Sequence, residues 1–294
     1  MAQVAAIQSA QTVAALRAAV THETSLAVAC KDPLAKHFIN LRERLLTGLL
    51  PQPLLRWVLE RAAPGSYGFA IARTRCFDDA LLSEAAGGVE QIVILGAGYD
   101  SRVLRFAREL KNARVFEVDH PGTQARKMEI LLHSVPSIPA NVQYVSVDFN
   151  CDSLETELNK KGFSRTRRTL FLWEGVSYYL PKPVVAGILR FAASCGSGSS
   201  IIFDYALRKF VEGDTGTYGG EHVSRWLRKI GEPFVFGLNP HETPHFLSAC
   251  GLRPIFDLGP EDAEARYLTR KDGRILRRTL GHVRIVHACN DKQT

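Results

Sequence analysis

Acidic residues recur in this chain where short apolar runs stop. Gln91–Leu95 (QIVIL) runs through Gly96-Ala97-Gly98-Tyr99 to Asp100, Glu117 and Asp119 close RVFEVD, Asp148 closes VQYVSVD, and Glu174 closes TLFLWE. A carboxylate at the end of a buried strand can accept hydrogen bonds from ligand hydroxyl or amino groups. The loop Gly96-Ala97-Gly98 lets the chain turn tightly and lets a ligand approach the backbone, and the helix that follows offers unpaired N–H groups. These features describe a ligand-binding strand end. A dinucleotide fingerprint needs Gly or Ala three residues past Gly98, where Ser101 stands, and Tyr99 and Asp100 put bulk and negative charge where a pyrophosphate would lie. The P-loop lysine is also missing. A ligand without phosphates fits better, and S-adenosyl-L-methionine is one. Asp119, 21 residues past Gly98, is at the distance from which an acid reaches ribose hydroxyls and is preferred over Glu117 because it stands at the strand's end before His120-Pro121. Asp148 would accept from the adenine amino group, with Phe149 as an apolar wall.

The elements that must hold these residues follow from periodicity. Strands are expected at 91–95, 114–118, 142–147, 169–173 and 200–205, with helices at about 101–110, 121–134, 151–161 and 181–194 between them. This βαβ rhythm predicts a mostly parallel sheet with helices on both faces and the ligand outside the carboxyl ends of the strands. Further strands at 253–258 and 282–288 give seven in all, and the last two could be antiparallel. Residues 1–88 read as an all-helical cap, with a helix from about Ser66 to Glu84, and 89–294 as the main domain. Residues 206–240 hold Gly213, Gly216, Gly219, Gly220 and Gly231 among Tyr218, Trp226 and Phe234, which suggests a mobile lid; a packed helical excursion is the plainer reading.

Composition excludes several classes. The chain has 294 residues, 46% apolar and 23% charged, and no apolar run near the length of a membrane span. No secretory signal is seen. Cys30, Cys76, Cys151, Cys195, Cys250 and Cys289 form no C-x-x-C, so a reducing cytoplasmic setting is expected. The net charge of +7 owes much to Lys160–Arg168 and Arg270–Arg278. Neither cluster is interleaved with aromatics, so solvated surface is favoured over nucleic-acid binding. His241-Glu242-Thr243-Pro244-His245 matches H-E-x-x-H, but Pro244 starts a helix between the two histidines, so they cannot share one helical face and no metal is expected.

The segments ILGAGYDSR (94–102), VFEVDHP (115–121), VDF (147–149), EGVSYYLP (174–181), ARTRCFD (72–78) and DPLAKHF (32–38) resemble the leucine carboxyl methyltransferase family, within the Rossmann-like class I S-adenosyl-L-methionine-dependent methyltransferases. The resemblance covers most of the chain. It implies that Arg73 pairs with the methionine carboxylate, that Gly96, with Ala97 and Gly98, lies against the cofactor, and that Asp119, Asp148 and Glu174 bind ribose, adenine and the methionine end. A lysine used near the N-terminus by the eukaryotic enzymes is replaced here by Thr21, so a protein phosphatase is not expected as substrate. The expected reaction is O-methylation of a small-molecule carboxylate or hydroxyl. Methyl transfer is an in-line displacement that the protein mainly aligns and keeps dry. A carboxylate needs no base and a hydroxyl does. Tyr178, Tyr205 and His245 are the catalytic candidates, and Tyr99 and Tyr178 could face a sulfonium. RNA or protein methylation, and a cofactor-binding member without turnover, are the alternatives. No nucleic-acid or membrane partner is expected, and the chain should be a monomer or homodimer.

Overall fold

A computed structural model describes residues 2–27, 30–149 and 151–290, with side chains from residue 9 onward. The strands are β1 (Gln91–Leu95), β2 (Arg114–Asp119), β3 (Val142–Ser146), β4 (Thr169–Trp173), β5 (Ser200–Leu207), β6 (Gly237–Leu238), β7 (Arg253–Leu258) and β8 (Val283–Cys289). They form one eight-stranded sheet of order β3-β2-β1-β4-β5-β8-β7, with β6 paired to β5 beside this path. β1 to β6 pair in parallel, and β8 runs antiparallel between β5 and β7. Seven strands stand where the sequence places them. The two-residue β6 is additional, too short to leave a period-2 signature.

Apolar runs buried on both sides explain the middle of the sheet: every residue of β1 and β4 is buried. Successive side chains alternate, so Val93, Phe116, Phe171 and Phe203 pack on one face with α7 (Leu154–Lys160), α8 (Lys182–Ala193) and α11 (Thr243–Ala249). Ile94, Val115, Leu172 and Ile202 pack on the other with α4 (Ser66–Ala86) and α12 (Pro260–Tyr267). α6 (Pro121–Ser134) begins at Pro121, as its fixed φ favours, and its Lys127 Nζ meets Glu117 Oε2 of β2 at 2.7 Å, both buried. α5 (Arg102–Arg105) is a single turn where a helix to residue 110 is expected; Phe106, at φ −115° and ψ 29°, leaves the helical region and isolated turns continue to Ala113.

Ahead of β1 the described regular elements are helices: α1 (Ala2–Val20), α2 (Leu41–Leu49), α3 (Gln52–Ala62) and α4. Leu34 to Leu46 does not form one helix. A 3₁₀ turn at Ala35–His37 precedes Asn40, which caps α2 in a reciprocal pair with Glu43. Residues 208–238 hold α9 (Arg208–Val211), α10 (Gly220–Ile230) and β6, and Val235 and Phe236 donate to the Tyr178 carbonyl.

Glu117 generates a pH prediction. Burial raises its carboxyl from the ordinary 4.5 to about 7, against the pull of Lys127. The folded state therefore binds its proton more tightly than the unfolded chain, and that stability is full below about pH 4.5 and lost as pH rises through about 7. Glu117→Gln should flatten this fall in urea melts taken between pH 5 and 8; an unchanged slope would contradict it.

Candidate functional site

β1 ends against β2, and the loop after it is stitched to β2's end. Ala97 N–H donates to the Val118 carbonyl at 2.9 Å, and Gly98 N–H donates to Asp119 Oδ2. Asp119 Oδ1 accepts from His120 N–H at 2.6 Å. Burial raises the Asp119 carboxyl, and the two N–H donors pull against that rise. Gly96 stands at φ +63°, and a Cβ there would fall 2.4 Å from Val176 Cγ2, so only glycine fits.

Beneath the loop lies a buried ionic cluster. Arg102, first residue of α5, has all three guanidinium nitrogens engaged: Nε with Asp78 Oδ1 at 2.8 Å, Nη1 with Asp100 Oδ2, and Nη2 with Glu174 Oε2 at 2.7 Å. Arg73 on α4 gives Nε to Glu174 Oε1 and Nη1 to Asp204 Oδ2, both at 3.1 Å. Arg105 grips both oxygens of Asp78, and Arg17 of α1 pairs with Asp32 and donates to the Tyr99 carbonyl. Burial pushes the Asp100 carboxyl up, but Arg102, Lys127, Arg17 and the Arg102 N–H together outweigh it and hold it at about 2. Burial likewise raises Glu174, and Arg102 and Arg73 together bring it below its ordinary value. Asp204 stays above its ordinary value, since burial exceeds what Arg73 returns.

Arg73, Gly96, Ala97, Gly98, Asp119 and Glu174 therefore gather at the carboxyl ends of β1, β2 and β4. Asp148 and Phe149 follow β3 on the same side; the Asp148 N–H donates to Asp152 Oδ2 at 2.8 Å, and Phe149 leans on the core. Asp100 requires a correction. Its carboxylate turns inward to Arg102 and does not stand beside a ligand, because a buried acid takes the nearest cation. Its charge therefore does not itself repel a pyrophosphate. Tyr99 stacks on Phe38, with ring centroids 4.9 Å apart.

The catalytic candidates separate. Tyr178 is buried in the 3₁₀ turn Ser177–Tyr179, and its hydroxyl lies 3.6 Å from where a Cβ on Gly175 would sit, beside Arg73. Burial, then Asp204, pushes its hydroxyl well above the ordinary value. Tyr205 follows Asp204 in β5 and points to the opposite sheet face, where its hydroxyl meets Thr243 Oγ1 at 2.9 Å and Asp257 Oδ2 at 2.8 Å. His245 is exposed on α11. Neither reaches the cluster. α11 starts at Thr243, between His241 and His245, as expected.

Arg102 and Asp78 were not singled out as site residues in the sequence. Their signal is a charge inside an apolar setting: Asp78 follows Cys76 and Phe77, and Arg102 precedes Val103 and Leu104. Such charges are buried only in pairs.

The residues present suit S-adenosyl-L-methionine. Each Asp119 oxygen keeps a lone pair for a ribose hydroxyl, Arg73 Nη2 has no partner among the described residues and could take the methionine carboxylate, and the glycine loop exposes backbone.

Known proteins agree. The leucine carboxyl methyltransferase family model matches residues 10–193. YktD of Bacillus subtilis, provisionally named an S-adenosyl-L-methionine-dependent methyltransferase, is 30% identical over 239 residues, 80% of this chain and 77% of its own. SCO7813 of Streptomyces coelicolor, of the same provisional name, is 31% identical over 216 residues, 72% of this chain and 74% of its own. A provisionally assigned methyltransferase structure from Thermobifida fusca superposes with a TM-score of 0.57 at 15% identity, covering 94% of each chain. A duf574 family protein from Streptomyces avermitilis gives 0.53 at 14%, covering 92% of this chain and 96% of its own. At such identities these two support the fold alone. The chain belongs to the leucine carboxyl methyltransferase family and is an S-adenosyl-L-methionine-dependent methyltransferase.

The cluster makes a stability prediction. Lysine is a single point charge and cannot serve Asp78, Asp100 and Glu174 together. Arg102→Lys should lose roughly 3–5 kcal/mol, the cost of breaking a buried ion pair. Urea unfolding measures it, and a loss under about 1 kcal/mol would contradict the account.

Proposed function

We propose that this family member methylates an oxygen of a small molecule, and that a carboxylate is the acceptor its site suits best. The observation that carries this reading is where the three candidates for acid–base work stand. Of the three, Tyr178 alone lies beside Arg73, and its hydroxyl is held protonated by burial and by Asp204. Such a group donates a hydrogen bond and takes no proton at neutral pH. Tyr205 is occupied by Thr243 and Asp257. His245 stands on the surface. An acceptor that arrives ionised needs none of them as a base, and the description of the family, leucine carboxyl methyltransferase, points the same way.

The cofactor, when bound, supplies an electrophilic methyl group on its sulfonium. The protein's share is placement. Asp119 would fix the ribose, Asp148 and Phe149 the adenine, and Arg73 with Glu174 the methionine end. Tyr178 would orient the acceptor oxygen, and the 206–240 segment, packed over it through Phe234 and Val235, would act as a lid that excludes water. Residues 1–88 would form a cap over the same end, and 89–294 the methyltransferase domain.

Methylation of RNA or protein draws less support. Lys160, Arg165 and Arg168 are paired with Glu157, Glu155 and Glu84, and the segment precedes β4, at the sheet end opposite the glycine loop.

Two measurements test the reading. Across a panel of carboxylic acids and matching alcohols with methyl-labelled cofactor, turnover should fall on acids, with kcat/KM flat between about pH 6 and 9. Tyr178→Phe should lower kcat about tenfold, the roughly 1.4 kcal/mol of one lost orienting hydrogen bond, and leave that profile flat. Turnover confined to alcohols, with a rate falling towards low pH, would overturn the carboxylate assignment.

A further inference from the structure

Two consecutive helices of the cap carry their apolar side outward. In α2, Leu41, Leu45, Leu46 and Leu49 fall on one helical face, and they are 71, 49, 46 and 75% exposed. The residues turned partly inward are Glu43 and Thr47, and α2 buries none of its residues. After Leu50-Pro51, α3 buries Leu55 towards the protein and leaves Leu54, Trp57 and Val58 exposed on its other side. Ordinary surface helices have the reverse pattern. Seven exposed large apolar side chains within 18 residues exceed what a surface scatters singly.

The exposed charges beside them have one sign. Lys36, Arg42, Arg44 and Arg61 are exposed, and none has an acidic partner among the described residues. The acids of the same stretch are engaged elsewhere: Glu43 accepts from Asn40 N–H, and Glu60 from Gly65 N–H and the Tyr218 hydroxyl. Arg61 lies over the Trp57 ring, 5.3 Å from its centroid. A cavity of about 390 Å³ between the end of α1 and α2 is lined by Ala18, Leu45 and Leu49 together with Asp32, Lys36 and Arg44.

We infer that α2 and α3 form a docking surface for an anionic lipid bilayer. The leucines, Trp57 and Val58 enter the headgroup–acyl boundary, while Lys36, Arg42, Arg44 and Arg61 meet lipid phosphates. This is peripheral attachment, since among the described residues no helix is long and apolar enough to cross a membrane. It departs from the expectation of no membrane partner, which rested on the absence of a long apolar run. A second copy of the chain fits less well, because a two-fold contact would set these arginines against their own counterparts. An acidic protein partner would match the charge too, and failure to bind anionic vesicles would point to it.

Flotation of the full chain with vesicles tests this. It should bind vesicles of phosphatidylcholine with phosphatidylglycerol, bind phosphatidylcholine alone far more weakly, and weaken as salt rises. Arg42→Glu with Arg44→Glu should reduce binding by roughly thirtyfold or more, as two removed charges predict. Leu41→Asp with Leu49→Asp should reduce it at least tenfold, with unchanged circular dichroism because both side chains are exposed. A blue shift of emission on binding should vanish in Trp57→Phe. The inference is overturned by no binding to anionic vesicles, or by binding that the leucine variants keep, which would be electrostatic adsorption alone. A concentration-dependent dimer that the leucine variants dissolve would also overturn it, assigning the face to self-association. Cofactor binding is measured separately and is not at stake.

Discussion

The interaction that the cofactor end depends on is the buried meeting of Arg73 and Arg102 with Asp78, Asp100, Glu174 and Asp204. Each of these ions costs several kcal/mol to remove from water. The cost is offset only because the groups interlock. Arg102 serves α4 through Asp78, its own loop through Asp100, and the end of β4 through Glu174. Arg73 ties the same helix to β4 and β5. Neither guanidinium could be replaced by an ammonium, which lacks the planar fork these separate acids need. The glycine loop thus rests on an interlocked ionic floor, and its geometry is set from below.

Strand alternation sorts the remaining groups. Asp204 and Tyr205 are neighbours in β5, yet one faces Arg73 and the other faces Asp257, which Arg284 holds at 3.0 Å. Gly175, at φ +76°, brings the chain after Glu174 close over Arg73, and a Cβ there would stand 3.2 Å from Nη1. Asp204 receives the Gly175 N–H at 2.7 Å, so strand, turn and arginine form one unit beside Tyr178.

Much of this was legible in the sequence, and the limits have physical causes. Continuous apolar runs marked the parallel strands, and Pro121 marked the start of α6. The strand-end acids were visible because acids rarely follow such runs by chance. Periodicity could not show that α5 stops after one turn, since Phe106 and Leu110 keep helical spacing while the backbone breaks. In α2 the helical spacing of the leucines sets one apolar face, but a helical pattern does not say which side meets water. Asp100 was read as facing a ligand because a sequence shows a charge and not the partner that neutralises it. Arg102, 24 residues from Asp78 and 72 from Glu174, is joined to them only by the fold.

The central claim is that the loop and the acid at the end of β2 form the cofactor seat. Calorimetric titration of S-adenosylhomocysteine into the native chain and into Asp119→Ala tests it most directly. The account predicts saturable one-to-one binding that weakens at least tenfold in the variant, about 1.4 kcal/mol or more, while circular dichroism shows the variant still folded. Equal affinity in both proteins, or no binding to the native chain, would contradict it.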